Sequence, residues 1–198
     1  MANDNSATKV ITGKVRLSYA HLFKPQAKEE GADKKYSSAI LIPKEDKETL
    51  QKIKTAVDAA KEQGRSSKWD GKIPSNCKLP LHDGDVDRED DENYAGHYFL
   101  NASSKTKPEV AKPMGKGADG KMKFQEITDS TEVYSGCYAR VSINFYPFNA
   151  MGNRGVAAGL NSVVKIQDGE FLGGRASLDD DFSETEFDDD YNDDDFMS

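Results

Sequence analysis

The side chains best suited to chemistry sit on one strand-like run. In "SGCYARVSINFYPFN", residues 135–149, Cys137, Ala139, Val141, Ile143 and Phe145 fall on one side of a period-two pattern. Tyr138, Arg140, Ser142, Asn144 and Tyr146 fall on the other, with Phe148 extending that side past the proline. Two phenol rings and a guanidinium in line can stack on flat rings and meet anions. "KVITGKVRLSY", 9–19, adds Lys14 and Arg16 on its polar side, opposite Ile11, Val15, Leu17 and Tyr19. "GHYFLNASS", 96–104, sets His97, Phe99 and Asn101 against Tyr98, Leu100 and Ala102. If the three runs share a sheet, one surface gathers cations and aromatic rings.

Unpaired nucleic acid exposes base faces and a charged backbone. Aromatic rings stack on any base, worth about 1–3 kcal/mol each, and basic side chains follow the phosphates, releasing counterions without reading sequence. Duplex DNA hides its base faces, so such a surface favours single strands. The candidate contacts are Lys14, Arg16, Phe99, Lys105, Lys107, Tyr138, Arg140, Tyr146, Phe148 and Arg154. The lysine-rich stretch 105–123 reads as a flexible loop able to close over the backbone. The competing structural role for Tyr138 and Tyr146 is cover for a second layer or a helix, with the hydroxyl left wet. Trp69 and Phe124 read as core or lid residues.

Other chemistries fit poorly. In "DGDVDREDDE", 83–92, Asp83, Asp85 and Asp87 have the spacing of the first ligands of a calcium loop. Arg88 then stands where the turn glycine is needed, and Tyr94 where the bidentate glutamate is needed. The same carboxylates lie in a polar loop rather than on the strand ends that hold magnesium in nucleases. His21, His82 and His97 have no zinc spacing with Cys77 and Cys137. No phosphate loop, serine elbow or catalytic carboxylate pair is present, so neither an enzyme nor a cofactor is expected.

The charges are segregated. The chain of 198 residues is net −8, with 27 basic and 35 acidic residues. Eleven of the carboxylates lie in 179–198, which has no lysine or arginine, so residues 1–178 carry net +3. A positive body with a separate negative tail points toward nucleic acid. Within the tail, Asp188, Asp189, Asp190, Tyr191, Asp193, Asp194, Asp195 and Phe196 form an acidic and aromatic terminus suited to a basic pocket on replication or recombination proteins. A tethered polyanion also competes for a basic groove at an effective concentration on the order of millimolar. The bland reading is a solubility tail. No apolar run reaches 18 residues and "MANDNSATK" lacks a signal-peptide plan; two distant cysteines fit a reducing compartment, so a cytoplasmic protein without a membrane partner is expected. Oligomeric state is left open.

These side chains need strands to position them. Strands are expected at 9–19, 36–43, 96–104, 135–149 and 156–166, with a hairpin turn at "MGNRG". One helix is expected over 44–64, with Leu50, Ile53, Val57 and Ala60 on its apolar face, Gly64 as its stop, and a charged face that reads as solvated surface. Residues 65–97 read as mostly irregular and 1–8 as disordered. This pattern implies a mainly β barrel or sandwich with a helix packed on it. The expected division is a DNA-binding domain over 1–178 and an acidic tail over 179–198.

"LPLHDGD" near 79, "YAGHYFLNASS" at 94, "EVYSGCYARVSINFYPFNAMGNRGVAAGLNSVVKIQDGE" at 132 and "LGGRAS" at 172 resemble a family of tailed-phage and prophage proteins. That family, formerly a domain of unknown function, is associated with phage single-stranded DNA-binding proteins of OB fold. The resemblance spans roughly 10–178 and implies an OB-fold Greek-key barrel with one open face, carrying one main helix, extended loops and the acidic tail. The terminus "DDDFMS" departs from the proline-phenylalanine ending of bacterial single-strand binders. The implied function is single-stranded DNA binding in phage replication, recombination or repair. The alternatives are an acidic DNA mimic that blocks a host nuclease, and a metal-dependent nuclease.

Overall fold

The computed structural model describes residues 6–172. The tail residues Asp188 to Phe196 and the boundary at 178 lie outside the described residues. The elements are β1 (Lys9–Ile11), β2 (Val15–Gln26), β3 (Lys35–Pro43), α1 (Lys47–Ser67), β4 (His82–Asp83), α2 (Gly84–Asp87), a 3-10 turn (Glu92–Tyr94), β5 (His97–Ser104), β6 (Glu109–Lys116), β7 (Met122–Glu126), β8 (Tyr138–Ala150) and β9 (Asn153–Gln167).

Five strands close into a ring. β2, β3 and β5 form an antiparallel meander. β5 then pairs with β9 in parallel, β9 with β8 antiparallel, and β8 with β2. A five-stranded barrel closed in this order is the OB fold that the resemblance implies. β1 extends the edge of β8, the β6–β7 hairpin hangs from β9, and β4 pairs with β5.

Period two explains the barrel wall. Cys137, Ala139, Val141, Ile143 and Phe145 are all fully buried, as the alternation of β8 requires. Leu17, Ile40, Ile42, Leu100, Ala102 and Val163 fill the same core, each large aliphatic side chain contributing about 1.5–3 kcal/mol. A register shift between Ser142 and Ile143 lets β9 carry an extra residue, and Asn161 Nδ2 donates to Ser142 Oγ across it. Such a bulge bends the strand and helps the sheet close.

α1 packs its buried face, Ile53, Ala56, Val57 and Ala60, into this core. Asp46 caps it by accepting from Thr49 N–H. Gly64 does not stop the helix, which runs on to Ser67. A Cβ there would meet the Trp69 ring at 2.6 Å and Pro147 at 2.7 Å, so the glycine permits close packing.

Other expectations are corrected. The run 9–19 is two strands, because Thr12 turns inward: its hydroxyl accepts from Val141 N–H and its carbonyl from Arg140 Nε. Ile11 is consequently exposed. Residues 6–8 are part of the fold, with Thr8 buried and its carbonyl accepting from Phe145 N–H. The stretch 105–123 is largely the β6–β7 hairpin, not a loop, since β6 finds a parallel partner in β9 through Val110 and Val163. Residues 65–97 are mostly irregular, as expected, and within them lie the end of α1, β4, α2 and the 3-10 turn.

Candidate nucleic-acid interface

The outward side of the β2–β3–β5 meander holds a cleft of about 510 Å³. Register assigns its floor. Ser18 faces Ala39 and Ala39 faces Asn101; His21 faces Ser37, Ser37 faces Ser103, and Ser103 lies beside Gly159 of β9. Gly159 in turn lies opposite Asn144 of β8, next to the Tyr146 ring. The cleft itself spans β2, β3 and β5, and the same outward row, mostly of small side chains, runs on across β9 to β8, four steps of about 4.8 Å in all. Flat bases can approach a floor of this kind closely.

Aromatic rings stand at its ends. Tyr19 is 56% exposed and adopts φ 47, a left-handed conformation that few non-glycine residues take. It sits where the β2–β3 register slips between Ser18 and His21, so the bulge turns it outward, against the inward side its position in 9–19 predicts. Tyr146 is 40% exposed at the other end. Cations line the edges: Lys28 and Arg88 border the cleft itself, while Lys105 pairs with Asp33 at 3.3 Å beside it. Lys107 lies over the Phe23 ring.

One stretch of the meander is covered. Tyr94 packs edge-on against Phe99, His82 stacks on the same ring, and the Arg88 guanidinium lies over both Tyr94 and Phe99. Phe99 is only 4% exposed and forms a small second core with Ala39, Leu41 and Tyr94. Its place among the predicted DNA contacts is therefore corrected: parity put it outside the barrel, but residues 82–94 fold over it. That segment is held by Lys44, which bridges Asp83 at 2.6 Å and Asp85 at 2.7 Å. Hydrogen bonds to Asp83 and Asp85 raise the Lys44 ammonium above its ordinary range, and Lys44, aided by Gly96 N–H, holds Asp85 below the usual carboxylate range. Burial pushes the Tyr94 phenol up.

The remaining candidates divide into two groups. Lys14, Arg16 and Tyr138 come together, with the ammonium 5.3 Å and the guanidinium 5.6 Å from the ring centroid. Arg16 also donates to the carbonyls of Gly136 and Glu170, and Arg140 to that of Thr12. The two arginines are thus largely turned to their own backbone, and Lys14 donates to Gln167 Oε1. Phe148 and Arg154 lie with Tyr146 on the β8–β9 arm, whose end is anchored by Trp69 Nε1 donating to Phe148 O at 3.1 Å. Trp69 is core, as expected, whereas Phe124 is not core but 56% exposed on β7. Sequence reasoning missed Tyr19, His21 and Lys28, since only the bulge and the 27–34 loop bring them to the floor. Among the described residues no group of three or more histidine, cysteine or acidic side chains has the geometry to hold a metal ion.

Over residues 8–192 the chain matches the protein family described as Enterobacter phage Enc34, ssDNA-binding protein. It is 33% identical over 196 residues to protein p50 of Acyrthosiphon pisum secondary endosymbiont phage 1, covering 91% of this chain and 93% of that protein. Among solved structures it is similar to the single-stranded DNA-binding protein from bacteriophage Enc34 in complex with ssDNA, with TM-score 0.69, 27% identity, and 84% and 90% of the two chains covered. It shares its fold with gp2.5, a single-stranded DNA-binding protein encoded by bacteriophage T7, at TM-score 0.52 and 15% identity over 93% of this chain and 97% of that one.

Proposed function

This chain belongs to the family of the Enc34 phage single-stranded DNA-binding protein, and from that premise we propose that it binds single-stranded DNA across the floor running from Tyr19 to Tyr146. It is a binding protein and not an enzyme. Bases stack on Tyr19 and Tyr146, with Phe148 beside the latter, while Lys28, Arg88, Lys105, Lys107 and Arg154 meet phosphates. The observation that carries this reading is the small-residue floor with an exposed tyrosine at each end. Such a surface takes any base, so sequence preference is slight. The group of Lys14, Arg16, Tyr138 and Arg140 serves as a secondary electrostatic contact, its arginines already sharing their hydrogen bonds with backbone carbonyls and Lys14 with the Gln167 side chain.

Binding one strand and not the duplex protects unpaired DNA and melts hairpins by mass action. This suits phage replication, recombination or repair in the host cytoplasm. The acidic end, 179–198, lowers affinity at low salt through its charge and recruits replication or recombination proteins. Fluorescence anisotropy with labelled oligo-dT and a matched duplex tests the function. Strong binding to oligo-dT and weak binding to duplex are expected. Failure to bind oligo-dT would instead favour a DNA mimic. Removing 179–198 should tighten oligo-dT binding at low salt, an advantage that shrinks as salt rises.

A further inference from the structure

A second groove, of about 560 Å³, lies between α1 and the segment Leu79–Leu81, and it shares no lining residue with the cleft described above. Its floor is apolar: Leu50 and Val57 from the helix, Leu79 and Leu81 opposite, and Tyr98 at the base. Leu79 is about half exposed although the groove offers it an apolar wall. Lys47, Lys54 and Lys61 line the helix side. They recur every seven residues, so two helical turns set them in a row about 10 Å apart. The helix pairs most of its own charges, Glu48 with Lys52, Asp58 with Lys61, and Glu62 with Arg65. Lys47 and Lys54 are left without an ion-pair partner among the described residues. A lysine row along an apolar trough fits an acidic segment that carries aromatic rings.

The chain supplies such a segment. After residue 178 it has eleven carboxylates, no basic residue, and Phe182, Phe187, Tyr191 and Phe196 among them. We propose that this acidic and aromatic end seats in the α1 groove of its own molecule, its rings on Leu79 and Leu81 and its carboxylates along the lysine row. Reach does not limit it. The described chain ends at Leu172, whose N–H donates to Ser135 O, and fifteen further residues lead to Phe187 and twenty-four to Phe196. At about 3.3 Å per residue these span roughly 50 and 79 Å, against a radius of gyration near 15 Å for a domain of this size. The inference deepens the reading of the tail given above and rests on it for the tail's effect on DNA affinity. A tail seated on α1 leaves the DNA floor free, so tail and DNA are held together and the tail acts on DNA through its field.

Amide NMR of the full chain tests this, comparing the native protein with the full-length variant carrying Phe187→Ser and Phe196→Ser. Shift changes should cluster on residues 47–61 and 79–81, be independent of protein concentration, and persist with saturating oligo-dT. Lys47→Glu with Lys54→Glu, and separately Leu79→Asp, should reproduce the released-tail spectrum while changing oligo-dT affinity at physiological salt less than about twofold. Changes centred on Tyr19 and Asn101 that vanish with oligo-dT would overturn the proposal, as would the absence of any change. Changes that grow with protein concentration would transfer the groove to a second copy's tail and overturn the intramolecular seat. A protein that failed to bind oligo-dT yet showed the α1 shifts would refute the proposed function and leave the seat standing.

Discussion

Tyr138 and Tyr146 lie on the same face of the same strand, eight residues or about 26 Å apart, and the barrel gives them opposite surroundings. At the first end Lys14 and Arg16 crowd the ring, and Arg16 is turned to the carbonyls of Gly136 and Glu170. At the second, the ring borders Gly159 and an open floor of small side chains. Strand parity makes the two tyrosines equivalent; closure of the sheet does not. A ring already engaged by its own cations has less surface left for a base than one beside empty floor.

The largest expected effect comes from cutting the support of the second end. Trp69→Ala should cost about 3–5 kcal/mol of stability, measured by denaturant unfolding, because it empties the space against Gly64 and frees the Phe148 carbonyl. The milder Trp69→Phe should keep the fold and weaken oligo-dT binding by loosening the arm that carries Tyr146. Next, Tyr146→Ala and Tyr19→Ala should each reduce oligo-dT affinity by about 1–3 kcal/mol, the range for one lost stack. Tyr138→Ala should cost less than about threefold. Equal losses at the two ends of β8 would abolish the distinction drawn here.

Smaller effects follow from the charges. Lys105→Ala should reduce the slope of log affinity against log salt by about 0.7, as one single-strand phosphate contact is lost. Arg140→Ala, whose Nε already serves Thr12, should reduce it by less. The smallest concerns the cover over Phe99. Asp85 is depressed in the folded state, so its contribution is present above the unfolded carboxylate's value and disappears as pH falls through the folded one. Below the ordinary carboxylate range its hold on Lys44 and Gly96 should lapse, visible as a lower exchange protection factor at Gly96 while the barrel amides keep theirs.

Much of this architecture was legible from alternation and punctuation. β8 could be read to within a few residues because five consecutive inward positions are apolar, and α1 because its apolar residues recur at helical spacing. The candidate site was legible only in pieces. Parity placed Phe99 outside the barrel correctly, yet nothing local says that Tyr94, Arg88 and His82 will cover it. Alternation assigns Tyr19 to the wrong side because a bulge adds residues without leaving a sequence mark. The lysine-rich stretch reads as a loop because its glycines and prolines hide a strand that forms by pairing with β7 and β9.

By itself the sequence determined where side chains alternate, where the chain turns, and how its charge divides between a basic body and an acidic end. Those are local properties, set by backbone geometry and by the identity of neighbours a few residues away. Which rings face open floor and which cations are spent on carbonyls were decided by tertiary closure. Contacts between residues tens of positions apart, such as Arg16 with Glu170 or Trp69 with Phe148, depend on how the sheet curls, and no local pattern encodes that curl.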